Sequence, residues 1–144
     1  MVRKDSPLKE VGDVDKPGIK IVVGLNSAYD LYLTRTIKSA TVVRAPVGGG
    51  RAMIEMFVND KLDVAAGVRQ PLEDYAKANP DMQVMSGAFQ KIQQAMGMPK
   101  KNGSVGKAGA AYLAAFVEEM KASGFVADAL KRSGQVEQVA PLAK

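Results

Sequence analysis

Ile19-Lys20-Ile21-Val22-Val23-Gly24-Leu25-Asn26-Ser27-Ala28-Tyr29-Asp30 is the junction from which the rest of the chain is read. Residues 19–24 are β-branched and apolar apart from one Lys, which predicts a buried strand, and Gly24 turns the chain towards a helix. Ser27 falls where a helix N-cap belongs, and the amphipathic run Ala28, Leu31, Tyr32 follows it. A strand that delivers a Ser-capped helix N-terminus offers unpaired N–H groups, a hydroxyl and the positive end of a helix dipole. That is a place for a ligand's carboxylate. The same pattern also reads as Ser27 capping its own helix and nothing more.

Outward from this junction the pattern repeats. A helix is predicted over 27–38, a strand over 41–44, a loop over 45–50 and a helix over 51–60, where Met53, Ile54, Phe57 and Val58 recur at helical spacing. Residues 63–67 read as a third strand, built of small residues, central and buried on both faces. A helix over 70–79 stops before Pro80, because the residue preceding a proline disfavours the helical region. Residues 82–86 and 89–96 are expected strands, and 99–106 an expected loop rich in Lys and Gly. The last third reads as helical: Leu113, Phe116, Val117 and Met120 form one face, Gly124 closes that helix, and a short one ends at Gly134. The tail from Gln135 is expected to fray. Residues 1–18, broken by Pro7, Gly12, Pro17 and Gly18, read as a linker with room for a short turn of helix, tacked to the body by Leu8 and Val11.

Strand and helix alternate three times over the first part, which predicts an α/β fold: a mostly parallel sheet with helices on both faces, followed by C-terminal helices. The expected division is a lead-in over 1–18, a ligand-binding lobe over 19–98 and a helical segment over 99–144. In such sheets ligands bind beyond the carboxyl ends of the strands. The loops at 24–27, 45–50 and 67–70 would meet there.

Composition narrows the chemistry. The chain has 144 residues, of which 47% are hydrophobic, enough for one folded domain or for one lobe of a larger protein with an extension. It has no Cys and no His, which removes thiol nucleophiles, disulfides, thiolate or imidazole metal sites and imidazole bases. No cofactor is expected. The net charge of +5 is spread along the chain and there are only four Phe, four Tyr and no Trp. That is a poor composition for a nucleic-acid surface, which needs a basic stripe with stacking aromatics. No apolar run approaches the roughly 20 residues that span a bilayer. The basic start at Arg3-Lys4 has no apolar region behind it and does not read as a signal peptide.

The remaining candidates are binding groups. Gly48-Gly49-Gly50 lacks the Gly-Lys-Ser/Thr ending of a phosphate loop, so it reads first as a helix lead-in whose bare N–H groups reach a ligand. Arg69 follows the third strand at the same sheet edge as Ser27; its fork suits a carboxylate, and it equally suits an ion pair with Glu73 one turn on. Asp63 opens that strand at the far end and reads as a capping residue. Gln93 and Gln94 carry amides, and the Met residues read as core filling. No two carboxylates are brought to one strand edge. The chain reads as a binder and not as an enzyme.

Three passages add a family resemblance: 2–8 with 14–18 leading into the 19–27 strand and turn; Asp60-Lys61-Leu62-Asp63-Val64-Ala65; and Gln94-Ala95-Met96-Gly97-Met98-Pro99-Lys100. With the closing Leu113, Phe116, Val117, Met120 and Gly124-Phe125, the order resembles the second lobe of bacterial extracellular solute-binding proteins of family 3, the periplasmic amino-acid-type receptors of ABC transporters. The resemblance is diffuse and covers nearly the whole chain. It implies a two-lobed clamshell that closes on a small polar solute and presents it to a membrane permease, outside the cytoplasm. Ser27 matches the Ser/Thr that holds a ligand carboxylate, with Asn26 in the place of the usual Gly and Ala28 beside it. Val68 stands where the family commonly has an Asp for a ligand amino group, and Asn59 or Asp60 where Gly is usual in the preceding passage. The change at Val68 points away from a standard α-amino acid, towards a solute with an anionic or amide group near Arg69. The first lobe is missing, so its contacts are absent and apolar surface meant for it favours self-association between two copies. The residues expected at the ligand are therefore Asn26, Ser27, Ala28, Gly48, Gly49, Val68, Arg69 and Gln94. The alternatives are a sensor or accessory ligand-binding domain of the same fold, or a dehydratase-like enzyme, which would need a carboxylate or Lys facing Ser27.

Overall fold

The computed structural model describes residues 1–46, 49–100, 103–135 and 138–143. These fall into two compact units, Met1–Ile92 and Gln93–Lys144.

The first unit is built on three parallel strands: β2 (Lys20–Gly24), β3 (Thr41–Ala45) and β4 (Val64–Ala65), in the order β3-β2-β4. A second, two-stranded ladder pairs β1 (Val2–Arg3) antiparallel with β5 (Met82–Gln83). Met1 joins the two. Its amine donates to the Ala65 carbonyl at 2.8 Å and its carbonyl accepts from the Ala65 N–H at 2.9 Å. Two residues that exchange both bonds form an antiparallel pair. The chain order across the whole surface is therefore β3-β2-β4-β1-β5, with only β1 reversed.

Strand periodicity divides the core into two layers. Ile21, Val23, Val64 and Ala66 pack with Leu33 of α1 (Ala28–Thr36), and with Val2, Leu8, Val14 and Met85. Val22 and Ala65 pack on the other face with Met53, Ile54 and Phe57 of α2 (Gly49–Asn59) and Leu72 of α3 (Arg69–Ala78). Helices thus cover both faces of a mostly parallel sheet, and β2, with Val22 and Val23 at 0% exposure, is buried on both of them.

The expected linker over 1–18 needs correction. Met1, Val2, Leu8 and Val14 are all buried, and a 3-10 turn runs Val11–Val14. Breakers at Pro7, Gly12 and Pro17 interrupt a segment whose apolar Leu8 and Val14 pack with Ile21, Val23 and Val64 on one face of the sheet. The expected strand over 89–96 does not form either. Residues 91–99 have no regular structure and are exposed, since an extended segment needs a ladder partner for its main-chain groups. Over 82–86 only Met82–Gln83 is a strand, with a single bridge from Ser86 to Glu10.

The second unit holds α4 (Gly103–Ala122) and α5 (Phe125–Arg132). The helix α4 takes in part of the loop expected over 99–106. Gly124 between the helices has φ 83°, the left-handed conformation that glycine adopts without strain. Over 138–143 the tail has no regular structure; Lys121 Nζ donates to the Pro141 carbonyl and the Ala143 N–H to Glu118, both at 2.8 Å. Among the described residues of this unit no hydrophobic side chain is buried. The predicted face of Leu113, Val117 and Met120 is half-covered, while Phe116 is exposed.

Candidate functional site

Strand order positions the site. The chain leaves β2 for β3 on one side, then crosses back to β4 on the other, so the order reverses between β2 and β4. Open α/β sheets bind ligands in the crevice that such a reversal opens beyond the carboxyl ends of the strands. Ile21 pairs with Val64 and Val22 with Ala65, and the Ala66 N–H donates to the Val22 carbonyl at 2.9 Å. The loop 25–27 leading into α1 and the loop 66–68 leading into α3 therefore share one edge. Asn26, Ser27 and Ala28 follow β2 and Val68 and Arg69 follow β4 at that edge.

The β2–α1 loop is tightly organised. Ser27 is the N-cap of α1, its Oγ accepting the Asp30 N–H at 3.1 Å. The Ser27 N–H donates to the Gly24 carbonyl at 3.2 Å and the Leu25 N–H to the Ala45 carbonyl at 3.1 Å. Asn26 sits in the left-handed region at φ 59°. Its N–H donates to Asp30 Oδ2 at 2.9 Å. Asp30 is 3% exposed and is the buried charge of the described residues. Its Oδ1 accepts from Arg44 Nε at 3.0 Å and from the Thr34 hydroxyl at 3.2 Å, and Arg44 Nη2 donates to Thr34 Oγ1 at 2.7 Å. What the loop leaves for a ligand is the Ser27 hydroxyl proton and the amides of Ala28 and Tyr29, which have no acceptor among the described residues.

Opposite lies the start of α3. Val68 is its N-cap and supplies no side-chain cap, so the first amides of the helix are open to the same edge. Arg69 does not point its fork freely into that space. Nη1 pairs with Glu73 at 3.1 Å and Nη2 donates to the Gly87 carbonyl. Arg69 also acts on the Met1 amine: burial first, and then the Arg69 charge, lower that amine from 8.0 to about 5.

The loop after β3 leaves from the same carboxyl edge, since Ala45 pairs with Gly24. Gly48 is outside the described residues. Gly49, at φ 68°, opens α2, and the groove of about 450 Å³ between the first turns of α2 and α3 is lined by Gly50, Arg51, Ile54, Glu55, Pro71 and Tyr75. Gln94 belongs to the second unit, exposed on its irregular segment. Asp63 lies at the opposite end of β4, its Oδ2 accepting the Lys20 N–H at 2.8 Å. Among the described residues no group of three His, Cys, Asp or Glu side chains gathers as metal ligands, and no helix is long and apolar enough to cross a membrane.

Sequence reasoning missed Asp30 and Arg44. Asp30 stood three residues after Ser27, the spacing of a capping box, so a signal for it existed. Arg44 had none, because only the parallel register of β3 beside β2 brings it to α1.

The chain matches no protein-family model, no curated protein and no solved structure.

Proposed function

We propose that the chain is a solute-binding lobe, the second half of a periplasmic-binding-protein-like clamshell that serves an ABC-type importer. It takes up a small polar or carboxylate-bearing solute outside the cytoplasm and hands it unchanged to a membrane permease. The observation that carries this reading is the reversal of strand order between β2 and β4, with the loops 25–27 and 66–68 entering two helices at one sheet edge. Such an edge favours a ligand group that accepts hydrogen bonds, because it presents main-chain N–H groups and the Ser27 hydroxyl at two helix N-termini. No acidic side chain stands at Val68 to receive an amino group, and the Arg69 fork is engaged with Glu73 and Gly87. The solute is therefore held by hydrogen bonds more than by a new ion pair.

A single lobe encloses only one side of a small molecule, which predicts weak binding. The exposed Met96, Tyr112, Phe116 and Phe125 are the surface that a first lobe, or a second copy of this chain, would cover.

Calorimetric titration of the purified chain with amino acids, short dicarboxylates and small amides tests the reading, with mass followed by light scattering. Binding of one class that weakens about tenfold in Ser27→Gly supports it. A monomeric chain that binds none of them, or binds one with no response to any change at residues 26–28, overturns it.

A further inference from the structure

The amide of Asn26 and the carboxylate of Asp30 meet at 2.9 Å, and this bond organises the loop proposed to face the solute. We propose that Asp30 and Arg44 are positioning residues of the binding loop: together they hold Asn26 in the left-handed conformation and so preset Ser27 and the open amides of Ala28 and Tyr29. The inference rests on the solute-binding reading for its functional consequence, and on the geometry of the loop for everything else.

Left-handed backbone is strained for a side chain other than glycine, and Asn adopts it with local hydrogen-bond support. Here that support comes from a carboxylate that is itself held from three directions: by the Asn26 N–H, the Thr34 hydroxyl and the Arg44 guanidinium. The Asp30 side chain is 4% exposed and that of Arg44 is 41% exposed. Arg44 stands on β3 opposite Val23, a residue whose side chain packs with α1. It therefore acts through Asp30 and not on a solute lying between β2 and β4. A buried carboxylate with no cation beside it is unfavourable, so the guanidinium keeps the carboxylate in the place where it can accept the Asn26 amide. A loop already held in the left-handed conformation does not meet that backbone strain on binding, which appears as affinity.

Two substitution sets separate positioning from mere support of the fold. Arg44→Met leaves Asp30 buried and unpaired; Asp30→Leu with Arg44→Met removes both charges, keeps an apolar filling and guards against a chain that fails to fold. Asn26→Gly, added to either, lets the backbone take φ 59° without the clamp. The first readout is amide exchange in the absence of any solute. The amide of residue 26 should exchange at least about tenfold faster in the D30L/R44M variant, while Val22 at the centre of β2 is unchanged after correction for global stability. The second readout is calorimetric affinity for L-glutamine, succinate and malonamide, compared with the wild type. For whichever of these binds, D30L/R44M should weaken affinity about tenfold, and N26G in that background should restore it to within about threefold without restoring the thermal midpoint.

Unchanged exchange at residue 26 overturns the proposal, and so does an affinity loss that N26G leaves in place, since a purely structural role would not respond to glycine there. A wild-type chain that binds none of the three probes counts against the solute-binding reading and leaves the exchange result to decide the positioning role by itself.

Discussion

The guanidinium of Arg3 lies over the ring of Phe57, its central carbon 4.7 Å from the ring centroid. The same guanidinium donates from Nη1 to the Leu62 carbonyl at 2.7 Å and from Nη2 to the Phe57 carbonyl at 3.3 Å. Arg3 thus ties β1 to the carboxyl end of α2, where a cation is favoured by the helix dipole. Arg3→Ala should destabilise the first unit by about 2–3 kcal/mol, from two charge-assisted hydrogen bonds and one cation–π contact. Arg3→Lys should recover less than half of that, because an ammonium does not reproduce the fork. Urea denaturation followed by circular dichroism measures both.

Ser27 has two roles that substitution can separate. As the N-cap of α1 it satisfies the Asp30 amide, so Ser27→Ala should lower stability by about 1 kcal/mol. Ser27→Gly should lower it by only a few tenths of that, since glycine is an accepted N-cap. Both remove the hydroxyl. A solute that weakens equally in the two variants is reading the hydroxyl, whereas one that weakens only in Ser27→Ala is reading the geometry of the helix end.

In a chain that starts at Met1, the terminal amine is held down at about 5 by burial and the neighbouring Arg69 charge, against 8.0 when free. Between these values the unfolded chain binds a proton that the folded chain does not. Stability is therefore complete above pH 8, falls as pH decreases towards 5, and is flat below that for this group. At about 1.4 kcal/mol per pH unit the loss reaches up to about 4 kcal/mol. With no His in the chain, little else titrates in this window. Urea midpoints measured from pH 5 to 8 should show the slope, and Nα-acetylation should abolish it.

Asp15 accepts the amides of Lys38, Ser39 and Ala40 where the chain leaves α1. These hydrogen bonds, that from Ala40 foremost, hold its carboxyl below the ordinary 3.8. The contribution is present above 3.8 and is lost as pH falls through the lower folded value. Asp15→Asn should lower the thermal midpoint at neutral pH, and its deficit against the wild type should shrink in acid below that range. A deficit that stays constant down to acid unfolding would show that the charge of Asp15 is not what holds the turn.

The sequence was informative wherever the signal was local. Helix α1 starts after Ser27 as the cap pattern requires, and α3 ends before Pro80 because a proline restricts the residue ahead of it. The apolar run of β2 reported a buried strand, and the small residues of β4 a strand buried on both faces, where Val64 and Ala65 are both buried. The strand expected over 89–96 failed, because half of those residues are polar (Gln90, Lys91, Gln93 and Gln94) and no neighbouring strand pairs with them; strand formation depends on that neighbour. At the candidate site Ser27 and Arg69 were visible as residue types, yet their partners Asp30, Glu73 and Gly87 decide what each has left to offer.

By itself, then, the sequence determined the alternation of strands and helices, the capping of α1 and the absence of imidazole and thiol chemistry, because periodicity, cap residues and composition act over a few residues. Tertiary structure alone decided that residues 1–3 complete the sheet, that the strand order reverses between β2 and β4, and that Arg44 reaches Asp30. Each of these depends on which distant backbone edge or buried charge a segment meets, and a buried edge or charge takes its partner from anywhere in the chain.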